Sequence, residues 1–249
     1  MASSDRQYAL IAGSGFQSFG ADSAGVSVST PFGEPSAQVR ELQYDDHTVF
    51  LLPRHGDDLF IPPHAINYRA NLQALRHLNV DAIIAMNTVG VVHRDVHPGQ
   101  IAVPDQIIDY TWGRAHSIHE GTGSIDHIDF TEPFTEPLRQ DLLASANTAG
   151  VSVHAGGVYA VCQGPRLETA AEVDRLERDG ADFIGMTAMP EAALARELGM
   201  EYACLSLIVN YAAGRGENSI HADIEASTMT AKMQSMKVLV EFFGAYSSE

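Results

Sequence analysis

Short apolar runs recur along this chain with enough sequence between them for a helix, and that alternation limits the folds open to it. Residues 8–12, 48–52, 82–86, 158–162, 183–186 and 202–209 read as strands, each an apolar run bounded by polar or turn-forming residues. Residues 65–78, 136–149, 168–178 and 190–198 read as helices. A last helix is expected over about 223–243, where Met229, Met233, Met236, Val240 and Phe243 share one face and are expected to pack into the core. Strand and helix alternating over the whole length predict an α/β fold, with a central mixed, mostly parallel sheet flanked by helices. The 249 residues are 45% apolar, enough for one large core. No linker, repeat or low-complexity stretch divides them, so one domain over 1–249 is expected.

Charge and targeting signals narrow the function. Thirty-two acidic residues against 15 basic give a net charge of −17, which disfavours a nucleic-acid partner while leaving room for a small anion at a local basic cluster. No apolar run reaches the roughly 18 residues of a membrane span. The start, MASSDRQYALI, lacks the basic and apolar regions of a signal peptide. Cys162 and Cys204 sit in apolar runs and read as buried free thiols, and a cytoplasmic location is expected.

Polar residues gather where the predicted strands end, which is where open α/β sheets bind ligands. After the first strand comes Gly13-Ser14-Gly15, either an ordinary turn or a cradle of backbone amides for an anion. The dinucleotide fingerprint is incomplete, because its third glycine would fall at Ser18. Arg54 and His55 follow the second strand; they form either a surface ion pair or a phosphate grip, with a guanidinium fork and an imidazole donor. Asn87 and Thr88, with Gly90, open from the third. Glu168 heads a predicted helix, where a carboxylate also complements the dipole. Met186 could floor a sugar and Thr187 could offer a hydroxyl, and Asn210 sets a carboxamide at the end of an apolar run. The irregular segment 111–135 is long enough to suggest a functional loop.

In order, GSG, RHG, PPHAINYRAN, NTVG, GPRLETAAE, GMTAMPEAALARE and VNYAAG resemble the trimeric purine nucleoside phosphorylases, and within them the methylthioadenosine and methylthioinosine phosphorylase branch. The resemblance spans residues 9–243. It implies phosphorolysis of a purine nucleoside to free base and a ribose 1-phosphate, with phosphate as co-substrate and no metal or other cofactor. It further implies that phosphate is held by Ser14, Arg54, His55, Asn87, Thr88 and Thr187, and that ribose lies over Met186. Leu167, Glu168, Asn210 and Ala212 stand at base-binding positions. His127, from a neighbouring subunit of a homotrimer, His221 and Ile224 stand at the 5′ pocket.

The base-site residues carry a specificity argument of their own. Adenosine-type members of the family have carboxylates where this chain has Asn210 and Ala212. A carboxamide can donate to a 6-oxo group and accept from a protonated N7, and Asn210 is therefore the expected catalytic residue. Glu168 would accept from N1–H of a 6-oxopurine and repel the lone pair of adenine, and a mispaired buried group costs roughly 1–3 kcal/mol. The expected substrate is 5′-methylthioinosine or a related 6-oxopurine nucleoside. A methylthioadenosine phosphorylase that tolerates Asn210 is the nearest alternative. A zinc enzyme built on His116 and His119 with Asp126 or His127 lacks HExxH spacing. A non-catalytic nucleoside-binding module remains open. A serine hydrolase at Ser14 would need glycines where Ala12 and Phe16 stand.

Overall fold

The computed structural model describes residues 2, 6–16, 19–45, 47–58, 61–121, 126–217, 220, 224–244 and 246–247. Its elements run β1 (Tyr8–Ala12), β2 (Gly25–Val26), β3 (Val39–Tyr44), β4 (His47–Pro53), α1 (Tyr68–His77), β5 (Ala82–Val91), β6 (Ile101–Val103), β7 (Gln106–Asp109), α2 (Glu136–Thr148), β8 (Val153–Ala155), β9 (Val158–Val161), α3 (Ala170–Arg178), β10 (Phe183–Gly185), α4 (Ala188–Glu197), β11 (Glu201–Tyr211), α5 (Ile224–Phe243) and β12 (Tyr246–Ser247). The strands form one mixed sheet, and its centre is parallel: β5 lies between β1 and β11, running with both. Antiparallel pairs join β5 to β10, β11 to β6, and the β2, β3, β4 and β12 margin together.

Burial explains the apolar runs. β1 is buried at every position and β5 through its first six, as expected of strands covered on both faces. One face packs Ile11, Ile83, Ala85, Leu72 and Leu194; the other packs Leu10, Ile84, Leu142 and Leu239. α1 is capped by the Asn67 side chain, which accepts from the Ala70 amide. Among the described residues no helix is long and apolar enough to cross a membrane.

Five expectations change. β5 runs on to Val91 and β11 to Tyr211, so Asn87, Gly90 and Asn210 lie inside strands rather than beyond them. Glu168 does not head a helix: Thr169 caps α3, reciprocally with Glu172. The predicted first turn of α1 is a separate 3-10 turn, Pro63–Ala65. Cys204 is buried, while Cys162 is half-buried. The methionine face of α5 is core only in part: Met229 is 60% exposed, Met233 57% and Val240 40%, whereas Met236 packs half-buried against the core, Phe243 is buried, and Ala231, Ser235, Val238, Leu239 and Phe242 pack inward. Small Ala231 and Ser235 suit the side of α5 that lies against β11 and α2.

Candidate active site

β5 is the spine of the site. The Met86 carbonyl accepts from the Gly13 amide and from Arg54 Nη1, both at 3.0 Å, and so joins the ends of β1 and β4 to β5. Gly13 is required by this close approach: a Cβ there would stand 2.7 Å from Arg54 Nη1 and 2.9 Å from the Met86 oxygen. Further along, Gly90 pairs with Ile184 of β10 and Asn210 of β11. The β11 register slips between Ile208 and Asn210, a bulge that brings the carboxamide opposite Gly90. A Cβ on Gly90 would lie 3.0 Å from Asn210 Nδ2.

These elements enclose a cavity of about 430 Å³. Ser14, Arg54, His55, Asn87, Thr88, Leu167, Glu168, Met186, Thr187, Asn210 and Ala212 all line it. His127 is exposed on the irregular segment and does not line this chain's cavity. Ile224 opens α5 and is likewise not in the lining, whereas Ile220 is. His221 lies outside the described residues.

Arg54 is completely buried and bound by a carboxylate that the sequence reading passed over. Its Nε donates to Glu191 Oε1 at 2.5 Å and its Nη2 to Oε2 at 3.0 Å. Burial opposes the guanidinium charge, but Glu191 outweighs it and holds the arginine protonated. A signal for Glu191 was present in the sequence: past the break at Met189 it shares a helix face with Leu194 and Ala195, both buried, and a carboxylate on such a face requires a partner. Arg114 was also passed over. It donates to the carbonyls of Met186 (2.8 Å), Met189 (2.6 Å) and Gln163 (2.9 Å), joining the segments that carry Thr187 and Glu168.

Hydrogen-bond direction revises one role. His55 Nδ1 lies 2.8 Å from the Ile61 carbonyl, which can only accept, so Nδ1 carries the hydrogen. Burial and the neighbouring Arg54 charge push the imidazole below its ordinary range. Neutral His55 therefore presents Nε2 as an acceptor, not the donor expected from sequence. The same logic orients Asn210: Nδ2 donates to the Tyr211 carbonyl at 2.7 Å, leaving Oδ1 as an acceptor. Burial raises the Glu168 carboxyl above its usual range, opposed by its own backbone amide and the Cys162 thiol. Among the described residues no group of three His, Cys, Asp or Glu side chains is placed to hold a metal. His116 instead lies 3.6 Å from Asp109.

The Arg54 guanidinium and the hydroxyls of Ser14, Thr88 and Thr187 thus share one cavity with the Asn210 carboxamide and the Glu168 carboxylate. The sequence profile of the Phosphorylase superfamily matches residues 7–244. The chain is 49% identical over 191 residues to a probable S-methyl-5′-thioinosine phosphorylase of Xanthomonas campestris, covering 76% of each chain. It is 41% identical over 224 residues to the 6-oxopurine nucleoside phosphorylase of Pyrococcus furiosus, covering 87% of this chain and 84% of that one. The fold matches methylthioadenosine phosphorylase from Schistosoma mansoni in complex with tubercidin at a TM-score of 0.88 and 30% identity, over 96% of this chain and 91% of that one. By sequence profile, by relatives along most of its length and by fold, the chain belongs to the phosphorylase superfamily.

Proposed function

We propose that this protein cleaves the N-glycosidic bond of a 6-oxopurine nucleoside, 5′-methylthioinosine foremost, with inorganic phosphate, releasing hypoxanthine and 5-methylthioribose 1-phosphate. The observation that carries this reading is Glu168 and Asn210 lining one cavity with Arg54, His55 and Thr187. Phosphate is the nucleophile and needs only positioning, so neither a covalent intermediate nor a cofactor is called for. Arg54, Ser14, Thr88 and Thr187 donate to its oxygens, and His55 Nε2 accepts the hydrogen of the monoprotonated ion. As the glycosidic bond stretches, positive charge builds on a sugar lying over Met186 and negative charge enters the purine. N7 bears no hydrogen in the nucleoside and takes up a proton as the base leaves, balanced by the one that hydrogen phosphate gives up. The resulting N7–H donates to Asn210 Oδ1, the remaining Nδ2 hydrogen serves the 6-oxo group, and Glu168 accepts from N1–H. The Nδ2 hydrogen bond to the 6-oxo group strengthens as negative charge develops there, which lowers the barrier, while the acceptors Oδ1 and Glu168 fix which base is held and how it lies.

The relatives named for methylthioinosine favour a methylthio group at the 5′ end, with Ile220 an apolar wall available to it. We further read the protein as a homotrimer in which exposed His127 completes a neighbour's 5′ pocket, working in cytoplasmic purine salvage. A 6-aminopurine substrate is the second reading, favoured by the solved methylthioadenosine phosphorylases of the same fold. The test is to incubate the purified protein with methylthioinosine, methylthioadenosine and inosine, with and without phosphate. Base release is expected only with phosphate, with methylthioinosine giving the highest kcat/KM. A preference for methylthioadenosine overturns the base assignment, and phosphate-independent or absent turnover overturns the phosphorylase reading.

A further inference from the structure

Resting on the phosphorylase reading, the geometry points to Glu191 as a positioning residue that sets two side chains of the cavity at once: Arg54 by direct pairing, and Asn87 through a buried hydrogen-bond relay. Glu191 is fully buried and does not line the cavity. Its carboxylate accepts from Arg54 Nε and Nη2, and from the Tyr202 hydroxyl at 2.8 Å. With Nη1 also donating to the Met86 carbonyl, each terminal nitrogen of Arg54 keeps one N–H free for an oxyanion. The guanidinium is held in plane from its far edge and cannot turn to offer a different pair.

The relay has a direction, and the carboxylate imposes it. An ionised carboxylate only accepts, so the Tyr202 hydroxyl must donate to Glu191. The Tyr202 oxygen is then free to accept, and Cys204 Sγ donates to it at 3.7 Å. The sulfur in turn accepts from Asn87 Nδ2 at 3.1 Å. Both Cys204 and Tyr202 are buried and neither lines the cavity. Burial pushes the Cys204 thiol up to about 12, so it keeps the hydrogen the relay needs. At the end of the chain Asn87, 2% exposed and lining the cavity, is left with Oδ1 buried and without a partner. An acceptor placed so suits a ribose hydroxyl, since the one P–OH hydrogen of hydrogen phosphate goes to His55, and it repels a bare phosphate oxygen. A neutral amide at 191 could donate as well as accept, so the relay would lose its fixed sense and Arg54 its charged partner.

The test uses Glu191→Gln, Tyr202→Phe and Asn87→Ala in the full-length protein, with KM for phosphate and nucleoside, kcat and Tm measured for each. Glu191→Gln is expected to raise the phosphate KM by about tenfold or more, since bonds between charged groups contribute roughly 1.5–3 kcal/mol, while the nucleoside KM moves less. Tyr202→Phe keeps the Arg54 pair but cuts the relay. It should raise the KM of one substrate a few-fold, and adding it to Asn87→Ala should cost nothing further, because both changes break one chain. A phosphate KM within about twofold of wild type in Glu191→Gln, or both KM values rising together with a lowered Tm, overturns the positioning role. Additive losses in the Tyr202→Phe/Asn87→Ala double variant overturn the relay, and do so even where Glu191→Gln fails to fold. Wild-type protein without phosphate-dependent turnover would instead refute the phosphorylase reading itself.

Discussion

On the proposed function, Glu168 serves specificity at the expense of stability. Burial raises its carboxyl above the ordinary 4.5, so the folded chain binds that proton more tightly than the unfolded chain. The stabilisation that follows is fully present below 4.5 and is lost as pH rises through the raised value; at neutral pH the ionised group is a net cost. Glu168→Gln is therefore expected to raise Tm at neutral pH while lowering kcat/KM for methylthioinosine about tenfold to a hundredfold, the effect of one mispaired polar group. The same variant should narrow the gap to methylthioadenosine, because a carboxamide can donate to the lone pair at N1. In the wild type, activity toward the 6-oxo substrate should fall on the acid side, as Glu168 takes up a proton and becomes a weaker, uncharged acceptor for N1–H. A thermal melt beside paired kinetics checks all of this, and an unchanged substrate ratio would remove Glu168 from base recognition.

At the scale of elements, the sequence made the central strands and the five helices of the described residues legible, because β1 and the first halves of β5 and β11 are largely apolar runs and most helices repeat at a regular spacing. The strands it left out are short, such as β6 and β8, or half polar, such as β3, in which Val39, Leu42 and Tyr44 are buried and Arg40, Glu41 and Gln43 are not. Of the cavity lining, Ser14, Arg54, His55, Asn87, Thr88, Met186, Thr187 and Asn210 were readable because they sit within or just beyond strands. Tyr202 and Arg114 were not, since a buried partner is named only once the chain is folded; Glu191 showed only as a carboxylate on an apolar helix face, with its partner unnamed. α5 was misread in part for a physical reason: it carries two apolar stripes, and Met229, Met233 and Val240 of one face outward while Val238, Leu239 and Phe242 of the other are buried. Lysine at Met229 or Met233 should therefore change subunit stability by no more than about 0.5 kcal/mol. Leu239→Ala should cost about 2–5 kcal/mol, because it empties a packed site. Urea denaturation of the three variants distinguishes the stripes, and a large loss at Met233 would return that face to the core.

On the scale of the molecule, a protein of net charge −17 that consumes an anion faces an electrostatic conflict. The cavity offers little net charge to offset it: Glu191 matches the Arg54 charge, and His55 is held toward its neutral form. Phosphate would then be gripped by directed N–H and O–H bonds, against a surrounding field that opposes its approach. Screening should relieve that opposition. Raising sodium chloride so that the Debye length falls from about 30 Å to about 8 Å is expected to lower the phosphate KM, about twofold or more, and to leave the KM of the uncharged nucleoside unmoved. The contrast between the two substrates isolates the field from any general effect of salt on the fold. A phosphate KM that rises with salt would mean that a local cation outweighs the acidic surface, and that the Arg54–Glu191 pair does not neutralise the cradle.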